Sequence, residues 1–336
     1  MDFYTNVQRM GNQILYRGIR DGLPVQTKVK FSPTLFTVTR EDSEWKTLDG
    51  RNAEKREFST MRKANDFLKQ YTDVDNFEVH GYEDFAMQYV QSRWPTSIDY
   101  DFDKIRIANI DIEVQSDDGF PNPNDAEKEI ISISLKASNE SYYRVWGLDF
   151  YDVKESPYRG KIEYYQFDSE REMLYDFLKY WKDHYPDIIT GWSVETFDIK
   201  YMVNRYSKVF GYEIAKYLSP WNKINTRARF LKNIGKEIEY YELLGITILD
   251  YIDVFKKFDK TYGPQESYKL DHISYVVLGE RKLSYEDHEN LFTLISGSKE
   301  VTVSPDKPKE KMETFEKWCS VRDKVKAKLK EKKDRR

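Results

Sequence analysis

One stretch, IRIANIDIEV at residues 105–114, sets the architecture of this chain. A run this apolar and rich in β-branched residues reads as a buried strand. Two acids interrupt it. Asp111 and Glu113 stand two residues apart, so both side chains leave the same face of the strand, opposite Ala108, Ile110, Ile112 and Val114. Paired acids inside a sheet lose hydration and repel each other, which costs several kcal/mol unless something positive is bound. A divalent cation is the simplest compensation, and oxygen ligands favour Mg²⁺ or Mn²⁺. The alternative is a strand end at which both acids face solvent.

Working outward, EIISISL (129–135), YYRVWGL (142–148) and IEYYQF (162–167) read as further strands. A helix then starts at Ser169, where Ser169 and Glu172 form a capping box, and it sets Met173, Leu174, Phe177, Leu178 and Trp181 on one face. DIITGW (187–192) is a strand followed by a turn and a helix from Asp198 to about Val209. Strands first, then strand–helix alternation, indicates an α/β domain with a mixed sheet. Residues 234–258 suggest a hairpin running into a helix, and 266–278 another helix. Upstream, residues 1–103 form a small β-rich mixed unit. Its strands are NQILYRGI, PVQTKVKF and TLFTVTR, its turns include Asp21-Gly22, and its helix over 59–71 carries Met61, Ala64, Phe67 and Leu68.

The chain of 336 residues is 39% apolar, 33% charged and 15% aromatic. That aromatic share excludes wholesale disorder. No segment approaches the roughly 18 consecutive apolar residues of a membrane span. The single cysteine, Cys319, permits neither an internal disulfide nor a cysteine-rich zinc site. The polar start shows no signal peptide, so a reducing, cytoplasmic setting is expected. The net charge of −4 is uneven: residues 299–336 hold 14 Lys/Arg against 8 Asp/Glu, a net of +6, leaving about −10 on the rest. Within 310–333, Met312, Phe315, Trp318, Val321, Val325 and Leu329 recur at helical spacing. The expected organisation is thus 1–103, 104–294 and a basic tail over 295–336.

A third acid sharpens the first two. TGWSVETFDIKY (190–201) puts Asp198 after a buried strand and an irregular turn, at a helix start. Strand-end loops of α/β sheets are where ligand sites gather, although Asp198 alone would serve as a helix cap. His80, His184, His272 and His288 show no metal-ligand spacing.

Together, IRIANIDIEVQSDDGFPNP, ITGWSVETFDIKYMVNR, GITILDYIDVFKKF and SYKLDHIS resemble the family B DNA polymerases, in particular the replicative polymerases of T-even-like bacteriophages. The resemblance covers about residues 1–294. It implies an N-terminal polymerase domain followed by an RNase H-like 3′–5′ proofreading exonuclease domain. It further implies that Asp111, Glu113 and Asp198 hold two Mg²⁺ or Mn²⁺ ions. Phe120 would pack against the terminal bases of a frayed single-stranded DNA 3′ end, and otherwise is a plain core residue. Ser193, with Thr196, would touch the substrate backbone, and residues 234–246 resemble the hairpin that helps part primer from template.

The family's third exonuclease motif, Tyr-x-x-x-Asp, does not occur after residue 250, and the nearest stand-in is Cys319-x-x-x-Asp323. Palm, fingers and thumb sequences are missing as well. The resemblance therefore implies either one piece of a split phage polymerase, completed by a second chain on primer–template DNA, or a truncated product, in the cytoplasm of an infected host. A catalytically silent DNA-binding and assembly subunit is the rival expectation.

Overall fold

The computed structural model describes residues 2–116, 119–151, 153–154, 159–231 and 235–281. Its chain divides into two compact units between Ile105 and Arg106. The basic tail and the Cys319/Asp323 pair lie outside the described residues.

In the first unit, β1 (Phe3–Met10), β2 (Gln13–Arg20) and β3 (Leu23–Lys30) form an antiparallel meander. Asp21 and Gly22 both take positive φ, 52° and 78°, the conformation of the two-residue turn that matches strand twist. β4 (Thr34–Val38), β5 (Trp45–Lys46), β6 (Asn52–Glu57), α1 (Met61–Tyr71), β7 (Val79–His80) and α2 (Phe85–Arg93) follow. The second sheet runs β5-β6-β4-β7. Ile14, Tyr16, Leu35, Met61 and Phe85 close the core between sheets and helices.

The second unit holds β8 (Ile107–Val114), β9 (Ile130–Ala137), β10 (Tyr143–Gly147), β11 (Ile162–Gln166), α3 (Glu170–Asp183), β12 (Ile188–Gly191), α4 (Asp198–Phe210) and α5 (Tyr212–Ala215). It continues with β13 (Ile224–Leu231), β14 (Lys236–Leu243), β15 (Thr247–Asp250), α6 (Tyr251–Phe258) and α7 (Leu270–Leu278). Six strands make one sheet in the order β11-β10-β9-β8-β12-β15. β9 runs antiparallel to β8 and β10, while β8, β12 and β15 are mutually parallel and β11 is parallel to β10. This is the mixed sheet expected of an RNase H-like domain.

The α3 residues Met173, Leu174, Phe177, Leu178 and Trp181 are all buried against the sheet, with the Trp146 ring set edge-on to Phe177 at 5.1 Å. Ser169 accepts the Glu172 amide at 3.4 Å and starts the helix. In α4 the positions Ile199, Met202, Val203 and Tyr206 recur at helical spacing and face the same core.

Two sequence expectations shift. The hairpin expected over 234–258 pairs β14 with β13, which lies upstream, and the ITILD segment instead joins the main sheet as β15. β13 escapes pattern recognition because Thr226, Arg227 and Ala228 are consecutively exposed and leave no alternating apolar face. α7 begins at Leu270 rather than 266. No helix among the described residues is long and apolar enough to cross a membrane.

Gly191 closes β12 where backbones crowd: a Cβ there would stand 2.9 Å from the Ile110 carbonyl oxygen and 3.0 Å from Val194 Cβ. Gly191→Ala is expected to destabilise the fold by about 1–3 kcal/mol, the usual effect of forcing one extra carbon into a packed interior. A lowered urea midpoint with unchanged m-value is the readout.

Candidate active site

β8 delivers the acidic pair. Asn109, Asp111 and Glu113 share one face and grade outward, from buried Asn109 through half-buried Asp111 to exposed Glu113. The opposite face, Ala108, Ile110, Ile112 and Val114, is buried in the core. On one side β9 pairs Asp111 with Ser134 and Glu113 with Ser132. On the other side the parallel partner runs out early: β12 pairs with β8 only as far as Thr190 opposite Asn109.

Asp198 takes over where that ladder stops. Its Oδ1 accepts the Ile112 N–H at 3.0 Å, so a side chain from α4 occupies the place of a missing strand, between the two acids of β8. The helix-cap alternative for Asp198 does not describe this arrangement, because Phe197 holds the cap position and Asp198 is the first helical residue. Asp198 is 3% exposed. Burial pushes its carboxyl up to about 7 despite the Ile112 N–H, and the neighbouring Asp250 and Glu113 carboxylates push in the same direction. Such a group favours a cation beside it.

The turn between β12 and α4 is irregular and tightly bonded. Ser193 adopts φ 63°, uncommon for a residue with a Cβ. Its carbonyl accepts the Phe197 N–H at 2.9 Å and the Thr196 hydroxyl at 3.4 Å. Asp250, at the end of β15, accepts the N–H groups of Ser193 and Glu195 at 3.0 and 3.2 Å. Burial raises the Asp250 carboxyl, against the pull of the Ile252, Glu195 and Ser193 N–H groups. Glu195 is raised by burial too, and Arg229 of β13 opposes that shift. Arg229 is shared, pairing with Glu195 at 3.0 Å and with Asp253 of α6 at 2.9 Å.

Phe120 is no core residue. Its side chain is 83% exposed, yet the ring centre lies 4.9 Å from that of Phe197, the residue before Asp198. The segment carrying it is tied to α4: Asn204 donates to the Pro123 carbonyl at 2.7 Å, and Arg205 donates to the Glu127 carbonyl at 2.6 Å. Arg205 also grips buried Glu170 through two hydrogen bonds of 2.8 and 2.7 Å. The hairpin is fastened to the same helix. Lys200 donates to the Glu239 carbonyl at 2.9 Å, and Tyr241 donates to Asn204 Oδ1 at 2.8 Å.

The structure thus brings Asp198 to the strand of Asp111 and Glu113, and sets Phe120 on its immediate neighbour. Among the described residues, no three His, Cys, Asp or Glu side chains stand close enough to form a closed metal cage. Sequence reasoning missed Phe197, Glu195, Arg229 and Asp250 as parts of the constellation. For Asp250 a signal existed, an acid ending the apolar run GITIL, but nothing local showed which amides it would meet.

The chain also matches a known protein family. The model of the DNA polymerase family B exonuclease domain matches residues 89–273, so the chain belongs to the family B DNA polymerases. The DNA-directed DNA polymerase of Escherichia phage RB69 is 36% identical over 314 residues, which are 85% of this chain and 34% of that protein. That of Enterobacteria phage T4 is 31% identical over 307 residues, with the same two shares, 85% and 34%. More distantly, the DNA polymerase catalytic subunit of human herpesvirus 8 type P (isolate GK18) is 28% identical over 228 residues, 63% of this chain and 20% of that protein. The chain spans about a third of the length of the phage relatives, 34%.

The raised Asp198 carboxyl has a consequence for stability. Between its ordinary value of 3.8 and about 7, the folded protein holds a proton that the unfolded chain releases. Stability therefore falls as pH rises through that window. Asp198→Asn keeps an acceptor for the Ile112 N–H and removes the charge. In metal-free buffer its Tm is expected to exceed that of the parent by several degrees at pH 8, with the gap closing towards pH 4. Parallel thermal melts across pH check this.

Proposed function

We propose that this chain is the N-terminal and 3′–5′ exonuclease portion of a phage replicative DNA polymerase, removing nucleotides from a single-stranded DNA 3′ end in the cytoplasm of the infected host. The observation that carries the reading is the hydrogen bond that the Ile112 amide donates to Asp198, which brings a third acid to the strand that bears Asp111 and Glu113.

The donor set fits a hard divalent cation, since all three side chains offer oxygen and the burial of Asp198 is relieved by a positive neighbour. Asp111, Glu113 and Asp198 would hold Mg²⁺ or Mn²⁺, two ions in all, supplying activation of water and stabilisation of the leaving 3′ oxygen. Glu113 is exposed near the end of its strand. Phe120 offers its exposed face to a terminal base, a contact every base makes because each has a π-face. Ser193, in the turn before Asp198, would meet the substrate backbone. The hairpin of β13 and β14, fastened to α4, would stand where primer and template part.

The polymerising activity named for the phage relatives would come from a second chain, or from sequence beyond these 336 residues, acting with this chain on primer–template DNA. The same source would supply the carboxylate of a third exonuclease motif.

The test is Mg²⁺-dependent release of 5′-mononucleotides from single-stranded DNA, with this chain alone and with a complementing polymerase chain. Asp111→Ala combined with Glu113→Ala is expected to lower the rate by at least about 10²–10³-fold, the scale for losing transition-state charge stabilisation. DNA binding without any cleavage in either preparation would identify the silent assembly subunit instead. Phe120→Ala is expected to weaken single-strand binding by about 1–3 kcal/mol without base preference, measured by fluorescence anisotropy on oligo-dT and oligo-dA.

A further inference from the structure

We propose that Asp250 is a positioning residue for this site: its buried carboxylate pins the turn at Ser193–Glu195 and so fixes the aim of Asp198. The inference rests on the reading of Asp111, Glu113 and Asp198 as cation ligands.

Asp250 ends β15 in register with Gly191, the last residue of β12. Its Oδ1 accepts the N–H groups of Ser193 and Ile252, each at 3.0 Å, and its Oδ2 accepts that of Glu195 at 3.2 Å. The Ile252 bond caps α6 and would suffice for an ordinary capping residue. The other two bonds reach back 57 and 55 residues in the chain, to the turn that feeds α4. With both oxygens occupied by amides, Asp250 is arranged to hold backbone.

That turn needs holding. Ser193 sits in the left-handed region at φ 63°, a conformation that costs a residue with a Cβ about 1–3 kcal/mol and persists only where its surroundings impose it. The Ser193 carbonyl accepts the Phe197 N–H and the Val194 carbonyl accepts the Ile199 N–H, both at 2.9 Å. Those carbonyls carry the first turn of α4, and Asp198 lies between Phe197 and Ile199. The path is therefore continuous: Asp250 carboxylate, turn amides, turn carbonyls, start of α4, Asp198 carboxylate, Ile112 amide.

The acceptor count explains why the residue is an aspartate. Three N–H groups converge on two oxygens, so an asparagine would turn an NH₂ toward one of them, and a serine keeps the α6 cap but is too short to serve the turn. Asp250→Ser thus separates the two roles, and Asp250→Asn removes part of the turn contact with little change in size.

The experiment measures Mn²⁺ affinity by electron paramagnetic resonance and amide exchange at Ile112 by NMR. It uses the full chain carrying Asp250→Ser, Asp250→Asn or, as a destabilised core control, Leu178→Ala. Asp250→Ser is expected to weaken Mn²⁺ binding about 10–100-fold, the range for losing an outer partner of a metal ligand. It is also expected to speed Ile112 exchange about tenfold or more relative to the amides of β9. Asp250→Asn should fall between, and it serves alone if the serine variant does not fold. Leu178→Ala should lower Tm and leave both local readouts at parent values. Ile112 exchange in the Asp250 variants equal to the parent, or no faster than in Leu178→Ala, overturns the proposal. A parent chain that binds no Mn²⁺ overturns the cation reading only, because Ile112 exchange decides the positioning role without metal.

Discussion

The hydrogen bond from the Ile112 amide to the Asp198 carboxylate is the constraint around which the exonuclease unit is arranged. A strand inside a sheet must satisfy its amides on both sides, and an unpaired buried amide costs about 1–3 kcal/mol. β12 abandons β8 at Thr190, and Gly191 lets the chain pass close to the Ile110 carbonyl on its way out. Something has to receive the next amide. An ionisable side chain does so here, which is a poor choice for stability and a useful one for chemistry. Burial leaves that carboxyl reluctant to ionise unless a cation stands beside it.

α4 distributes the consequences. One face of the helix packs in the core through Ile199, Met202, Val203 and Tyr206. Three of its polar residues hold the surroundings: Lys200 and Asn204 the hairpin, Asn204 and Arg205 the segment bearing Phe120. Arg205 can be drawn into a nearly dry setting because Glu170 meets it with both oxygens. The helix that presents Asp198 is therefore also the frame for the aromatic residue and for the hairpin.

Much of this was legible in the sequence, for physical reasons that differ by element. β8, β9, β10 and β12 bury most of their residues and so stand out as aliphatic-rich strands. α3 announces itself by spacing and by Ser169. The acids at 111, 113 and 198 stand out because a charge inside an apolar pattern needs an explanation. What stayed hidden depends on long-range pairing. β13 has no apolar face to betray it, and the Glu195–Arg229–Asp253 bridge joins three segments that are each locally unremarked charges. Phe120 shows the same limit from the other side, since an aromatic next to a strand reads equally as core or as surface until its neighbours are known.

The parallel run of β8, β12 and β15 draws its three strands from distant parts of the chain. The Ile112–Asp198 bond spans 86 residues, and the bond from Asn109 to Tyr251 spans 142. Parallel pairing of this kind is slow to form, because loop-closure entropy is spent before any contact is gained. On a ribosome, the β8–β9 pair has both partners available long before α4 or β15 emerges. For that interval the acids of β8 border an unpaired, apolar strand edge, the state in which a sheet most readily adds a strand from another molecule. Like charge repels like, so two acids beside that edge disfavour its pairing with the same edge of a second copy.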